Sequence, residues 1–237
     1  EKQPAKIVCL IQAETSTGAL QPVAEIARIV HQMGSVLIVD TVTSLGGVEL
    51  LVDAWDLDVC YSGTQKCLGC PPGLGPITLG ARALEILEHR KRPVENWYLD
   101  LTLLAKYWGP ERSYHHTAPI SLHFALQAGL QILAQEGLQV RWDRHRQNAR
   151  LLWDGLAELG LECHVPLDHR LPSLTTVRIP AGSDDAQVRR RLLEEDGIEI
   201  AGGLGELKGR GWRIGLMGYS SRPENVTSLL NAFKRVL

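Results

Sequence analysis

Ser35-Val36-Leu37-Ile38-Val39-Asp40 is a short apolar run that stops at a carboxylate. Such a run, bounded by turn signals and without polar alternation, reads as a buried strand spanning residues 35–39. On its amino side, Pro22 opens a helical pattern that places Val23, Ile26, Ala27 and Val30 on one face, and Gly34 ends it. Residues 5–11 before that helix form a second apolar run. On the carboxyl side, residues 58–61 read as a short strand ending at Ser62, and residues 76–79 as a fourth. Short apolar strands separated by helices or long loops predict an α/β fold, its sheet covered on both faces. Ligands of such sheets sit at the carboxyl ends of the strands. Asp40 and the segment Ser62-Gly63-Thr64-Gln65-Lys66 fall there.

Residues 81–120 collect Trp97, Tyr98, Tyr107, Trp108 and Tyr114 with Pro93, Pro110 and Pro119, and read as an extended connection. Helices follow at 121–135 and 138–159, the second with Trp142, Ala149, Leu152, Trp153 and Leu156 inward. The last third changes rhythm. Strands are expected at 174–179, 198–200 and 212–216, and a helix at 184–196 with Val188, Leu192 and Leu193 inward. Ser221-Arg222-Pro223-Glu224 has the form of a capping box for a final helix. The chain therefore divides near Gln135 into a large α/β unit (1–135) and a smaller α+β unit (136–237).

The 237 residues are 44% hydrophobic and 22% charged, with a formal net charge of −2 and both signs interspersed. No basic stripe points to nucleic acid, and no apolar run is long enough to span a bilayer. Cys9, Cys60, Cys67, Cys70 and Cys163 are few and odd in number, the pattern of intracellular thiols rather than a disulfide framework. The sequence opens Glu1-Lys2-Gln3-Pro4, without Met and without signal or transit composition, and reads as a fragment.

Lys66 follows a short strand and is flanked by Gly, Thr, Gln, Cys and Leu. Apolar surroundings disfavour a lysine's charged form, and a neutral amine can form a Schiff base; the plainer alternative is a solvated loop lysine. Asp40 closes an Ile-Val run, a costly place for an unpaired charge. It suits either a helix N-cap or a partner for a cationic ring nitrogen. Glu14-Thr15-Ser16-Thr17-Gly18 is either an ordinary polar turn or a source of hydroxyl donors. Arg213, between apolar neighbours, needs an anion, whether a carboxylate ligand or a salt bridge of the smaller unit. Tyr114-His115-His116-Thr117 is not expected to hold a metal, because adjacent histidines in a strand face opposite ways. Cys67-Leu68-Gly69-Cys70 lacks a second pair, and its cysteines read as small buried residues.

Glu14-Thr15-Ser16-Thr17-Gly18, Val39-Asp40, Ser62-Gly63-Thr64-Gln65-Lys66, Tyr114-His115-His116-Thr117 and Trp212-Arg213-Ile214-Gly215 occur in this order in alanine–glyoxylate (serine–pyruvate) aminotransferases, which the chain resembles. The resemblance extends to Ser44-Leu45-Gly46-Gly47, Trp97-Tyr98-Leu99-Asp100 and Ala201-Gly202-Gly203-Leu204-Gly205. These are class V, fold-type I enzymes that use pyridoxal 5'-phosphate (PLP). The resemblance implies that Lys66 anchors PLP covalently and shuttles a proton. It further implies that Asp40 pairs with the ring nitrogen, Val42 packs on one ring face, and Thr15 lies near the cofactor hydroxyl. Gln65 is implied at the phosphate, Tyr114 and Thr117 at the phosphate of a neighbouring subunit's cofactor, and Arg213 on the substrate carboxylate. The substrates are amino acids and 2-oxo acids, and the assembly is a homodimer with shared sites. The family's amino-terminal portion, with a phosphate loop and a ring-stacking aromatic, lies outside these residues.

The leading expectation is transfer of an amino group from alanine or serine to glyoxylate or pyruvate. The location expected is intracellular: cytoplasmic in a bacterium, peroxisomal or mitochondrial in an animal, although Lys234-Arg235-Val236-Leu237 does not form a peroxisomal signal. Cysteine desulfurases of the same fold class carry His before the lysine, where this chain has Gln65, and a nucleophilic Cys in a late loop, which it lacks. A kynurenine-type substrate remains open within the subfamily. So does a non-catalytic fragment, whose exposed apolar surface would drive self-association.

Overall fold

The computed structural model describes residues 5–237. Strand β1 (Ile7–Ile11) leads into a two-stranded hairpin of β2 (Ala13–Glu14) and β3 (Ala19–Leu20), then helix α1 (Val23–Gln32) and strand β4 (Val36–Asp40). Strands β5 (Val59–Tyr61) and β6 (Ile77–Leu79) complete a four-stranded sheet of order β1-β4-β5-β6, in which only β6 is antiparallel to its neighbour. Val23, Ala27 and Val30 of α1 pack on Leu37, Val39 and Leu57, with Val8 and Leu10 beside them. The helix forms as its spacing predicts, and Gly34 at φ +71° follows its end.

The other face of this sheet differs from expectation. Side chains alternate between faces along each strand, and Ile7, Cys9, Ile11, Tyr61 and Ile77 all lie on the face away from α1. All five are exposed, Ile7 to 56%. Among the described residues this face is left largely open, with Val36, Ile38, Val59 and Leu79 only half-buried, so the sheet is fully packed on one side only. Unbroken apolar strands report two buried faces in a whole protein; they do not report whether the covering segment lies within these residues.

Residues 81–120 are not an extended connection. They contain helices α2 (Ala81–Glu88) and α3 (Leu101–Trp108) and a single 3-10 turn at Trp97–Leu99. Asp100 caps α3 by accepting from the Thr102 backbone N–H. Clustered aromatics and prolines masked this helix in the sequence. Helices α4 (Ile120–Glu136) and α5 (Leu138–Glu158) meet at Gly137, whose φ of +83° turns the chain between them.

The last third holds strand β7 (Leu174–Arg178), helix α6 (Asp185–Asp196), strands β8 (Ala201–Gly202) and β9 (Gly211–Gly215), and helix α7 (Pro223–Val236). The strands form an antiparallel sheet of order β7-β9-β8. Leu152 and Leu156 of α5, Val188 and Leu192 of α6 and Phe233 of α7 enclose Trp212 and Ile214 in one core. Burial of such side chains contributes roughly 1.5–3 kcal/mol each.

Three local expectations fail in this region. Residues 198–200 are not a strand; the pairing lies at Ala201–Gly202. Leu193 points outward, because Val188 and Leu192 already fill the inward stripe. The capping box does not form: Arg222 is the N-cap residue, no side chain caps α7, and Ser221 is fully buried beneath Asn148. Pro223 at the first helical position, which needs no hydrogen bond there, starts the helix instead. Among the described residues no helix is long and apolar enough to cross a membrane.

Candidate active site

Parallel pairing aligns Ile11 with Asp40 and Asp40 with Tyr61, so the carboxyl ends of β1, β4 and β5 form one row. Asp40 ends β4. Its Oδ1 accepts from the Val42 backbone N–H at 2.8 Å, which fixes the following turn and leaves Val42 half-buried beside it. Its Oδ2 accepts from the Tyr61 hydroxyl at 2.8 Å. That hydrogen bond to a carboxylate pushes the Tyr61 phenol above its ordinary pKa, so Tyr61 remains a donor. The side chain therefore serves a local turn without acting as a helix N-cap, and both oxygens keep lone pairs for a further donor.

The segment after β5 is held by its own polar residues. Ser62 Oγ donates to Thr41 O at 2.9 Å, Thr64 Oγ1 donates to Pro71 O at 2.6 Å, and the Cys70 N–H donates to Thr64 O at 3.0 Å. Lys66 lies in this loop, half-buried, and its amine has no hydrogen-bond or ion-pair partner among the described residues. Gln65 is exposed, and its Oε1 occupies space that a Cβ on Gly63 would meet at 2.8 Å. Cys67 packs beneath the loop. Burial pushes its thiol up to about 11, which keeps it an inert packing group. Cys70 is only partly buried, short of the expectation for it.

Thr15 sits in the turn between β2 and β3. Its Oγ1 lies 2.6 Å from Thr43 Oγ1, and Thr43 O accepts from Ser173 Oγ at 2.9 Å. Glu14 locks the turn by accepting from the Ser16 N–H and hydroxyl. Gly18 is required here: it has φ +77°, and a Cβ would lie 2.8 Å from Leu174 O.

Arg213, on β9, donates through Nε to Gly202 O at 2.9 Å and through one terminal nitrogen to Thr15 O at 3.3 Å. It forms no salt bridge among the described residues, so the internal ion pair left open by its sequence context is not made. Arg213, Thr15, Thr43 and the Val42–Asp40 turn thus form a continuous polar path from one sheet to the other.

Tyr114 and Thr117 are brought to each other, hydroxyl to hydroxyl at 2.9 Å, and Tyr114 is 77% exposed. No hydrogen bond among the described residues ties them to the Asp40–Lys66 group. The adjacent histidines are not in a strand, and the geometric reason given for them does not hold. His115 Nδ1 lies 2.9 Å from His116 Nδ1, and His115 Nε2 meets Trp97 O at 3.1 Å. A carbonyl only accepts, so in neutral His115 Nε2 donates and Nδ1 accepts from His116. Among the described residues no group of three or more His, Cys, Asp or Glu is placed to hold a metal ion.

Sequence reasoning missed Tyr61 and Thr43. Tyr61 was findable, because it ends the strand paired with Asp40; Thr43 was not, because its partners come from residues 15 and 173.

The family model for class-V aminotransferases matches residues 2–215. The chain belongs to the class-V aminotransferase family. This class-V chain is 38% identical over 255 residues to the (S)-ureidoglycine–glyoxylate transaminase of Bacillus subtilis, covering 100% of itself and 61% of that protein. It is 38% identical to the alanine–glyoxylate aminotransferase of Mus musculus, with coverage of 98% and 57%. Among solved structures it is similar to an alanine–glyoxylate aminotransferase from Nostoc sp., with 53% identity, a TM-score of 0.94, and coverage of 98% of this chain and 61% of that one. The α/β fold therefore matches fold-type I PLP-dependent aminotransferases over about 60% of their chains. The chain spans about three-fifths of the length of the curated relatives it matches. A cysteine desulfurase from Thermococcus onnurineus, at 20% identity, shares the fold alone.

Proposed function

We propose that this chain is the lysine-bearing part of an aminotransferase that moves an amino group from alanine or serine to glyoxylate or pyruvate. The observation that carries the reading is Arg213: a half-buried guanidinium with no carboxylate partner among the described residues, joined through Thr15 and Thr43 to the strand end that carries Asp40. A half-buried cation of this kind favours an anionic ligand. Glyoxylate is favoured as acceptor because the ureidoglycine and alanine relatives share it.

The residues fit PLP by their chemistry. An amine without a partner among the described residues, a carboxylate with spare lone pairs, a threonine hydroxyl and an amide match, in turn, an aldehyde, a ring nitrogen, a phenolic oxygen and a phosphate. Lys66 would hold the group, with Asp40 at the ring nitrogen, Val42 against the ring, Thr15 at the hydroxyl and Gln65 on the phosphate side. PLP, when bound, supplies the electron sink that accepts the electron pair of the reacting carbon. Asp40 would offer the ring nitrogen a negative charge. Lys66 would take the proton from the substrate's amine-bearing carbon and return it in the reverse direction. Arg213 grips the substrate carboxylate and so fixes which bond faces the ring. Tyr114 and Thr117 would reach the phosphate of a neighbouring subunit's cofactor in a homodimer. Within each chain, residues 1–135 would form the cofactor-binding unit and 136–237 the smaller one.

The test is a spectroscopic half-reaction. Chain supplied with PLP is mixed with L-alanine, L-serine or L-kynurenine, then with glyoxylate or pyruvate. The reading expects loss of the cofactor's visible band with alanine or serine and its return with glyoxylate. Bound PLP that responds only to kynurenine would overturn the substrate assignment. Bound PLP that responds to no amino donor would support the non-catalytic alternative.

A further inference from the structure

Arg141, His145 and Asn148 lie along one stripe of α5 and are buried, His145 completely. Polar groups in such positions are costly unless each is satisfied. Their partners are loops of both halves of the site. Arg141 donates through Nε to Gly46 O at 3.0 Å, through one terminal nitrogen to Cys67 O at 2.6 Å, and through the other to Glu136 at 2.6 Å. His145 Nδ1 donates to Arg141 O at 2.7 Å, so Nε2 is free to accept from the Gly218 N–H at 3.0 Å. Asn148 donates to Ser221 Oγ, and the neighbouring Arg144 donates to Gly218 O and Ser221 O.

The two loops touch beneath the helix. Gly218 has φ +56°, and a Cβ on it would lie 2.9 Å from Cys67 O. Cys67 follows Lys66 directly, and Gly218 closely follows the strand that carries Arg213. The Lys66 loop has no regular secondary structure, and the loop after Arg213 has only a single 3-10 turn at Gly218–Ser220. On the proposed reaction, the amine-bearing carbon and the carboxylate of one small substrate must meet Lys66 and Arg213 together. Productive geometry of that kind is needed to within about 0.5 Å.

We propose that Arg141 and His145 are positioning residues that set the Lys66 loop against the loop following Arg213. This rests on the aminotransferase reading for its purpose, though not for its geometry. Arg141 is suited to the task because its planar fork reaches three acceptors at fixed angles, which a lysine cannot do. His145 serves as an acceptor only when neutral. Burial, aided by the charges of Arg144 and Arg141 and opposed by Glu136 and the bond to Arg141 O, pushes its pKa down to about 4. The Gly218 contact is thereby kept at neutral pH.

The experiment is amide hydrogen exchange read by mass spectrometry, on cofactor-free wild type, Arg141→Met, Arg141→Lys, His145→Leu and His145→Gln, beside thermal melting. The same proteins are then trapped with PLP and borohydride. Arg141→Met is expected to speed exchange in peptides spanning 62–70 and 216–221 roughly tenfold or more, the effect of losing one charge-assisted hydrogen bond. Peptides covering Val36–Asp40 should not change. Trapping on Lys66 should slow by a similar factor, with partial recovery in Arg141→Lys. His145→Leu should release the Gly218 peptide, and His145→Gln, which can both accept and donate, should restore it. Uniform acceleration across all peptides with a lowered melting temperature would make both residues merely structural and overturn the proposal, as would unchanged exchange. If Arg141→Met does not fold, the His145 pair decides. Failure of wild type to trap at all would overturn the aminotransferase reading, while the exchange pattern would still decide the positioning claim.

Discussion

Tyr61 donates its hydroxyl hydrogen to Asp40 Oδ2 at 2.8 Å across the β4–β5 pairing, on the sheet face that the described residues leave open. The carboxylate is thus oriented from both sides, by Val42 N–H at one oxygen and Tyr61 at the other. A group held this way keeps its negative charge available without having to find its own rotamer.

Asp40→Asn should keep the fold and weaken the cofactor. The amide oxygen still accepts from Val42, but the negative charge is gone. Losing a hydrogen bond to a charged group costs about 1.5–3 kcal/mol, so PLP affinity should fall by at least tenfold. Tyr61→Phe should alter affinity far less, because the lost bond is exposed and worth about 0.5–1.5 kcal/mol. A PLP titration on the three proteins checks the order; equal affinities would remove Asp40 from the site.

Arg213→Ala should raise the apparent KM for carboxylate substrates steeply, by a binding loss of roughly 2–5 kcal/mol. The melting temperature should change little, since Arg213 has no ion pair to lose among the described residues and only two backbone carbonyls to release. Steady-state kinetics against amino-donor concentration, run beside a melt, checks both halves. An unchanged KM with a lowered melting temperature would make Arg213 structural.

Stability should depend on His145 in mild acid. Its pKa is depressed from 6.5 to about 4, chiefly by burial. The unfolded chain therefore binds more protons than the folded one between those values. Stability is fully present above pH 6.5, falls as pH drops towards 4, and loses nothing more from this group below that. The shift corresponds to about 3 kcal/mol. Denaturant midpoints at pH 7.5, 5.5 and 4.5 for wild type and His145→Gln should show a slope that the variant flattens. Parallel curves would contradict the assignment.

Much of this architecture was legible in the sequence, and the failures have physical causes. Strands β1, β4 and β5 and helix α1 announced themselves because their burial pattern is local. Helices α2 and α3 did not, because α2 leaves Leu84 and Ile86 exposed and α3 ends in Tyr107 and an exposed Trp108, so neither carries a clean apolar stripe. Asp40, Lys66 and Arg213 stood out as charges beside apolar runs. The Thr15–Thr43 contact and the buried stripe of Arg141 and His145 did not, because their meaning lies in partners 28 to 95 residues away. The open sheet face was hidden for a simpler reason: a strand's sequence records that it is covered, not by what.

That open face predicts association. Ile7, Ile11 and Ile77 are 45–56% exposed on one surface, and contiguous apolar patches of this kind mark interaction sites or aggregation. These residues alone should self-associate in sedimentation velocity. Ile11→Lys with Ile77→Lys should shift the distribution towards monomer. A clean wild-type monomer would contradict the prediction.

The central claim is that Lys66 is the amine that holds PLP, and one measurement tests it most directly. Intact mass is recorded on the 237-residue chain, PLP is added, the absorbance spectrum is taken, and borohydride trapping is followed by peptide mapping. A yellow species whose reduced adduct maps to Lys66, and which is absent in Lys66→Ala, is the predicted result. An adduct on another lysine, or no adduct on a chain of the correct mass, would contradict it.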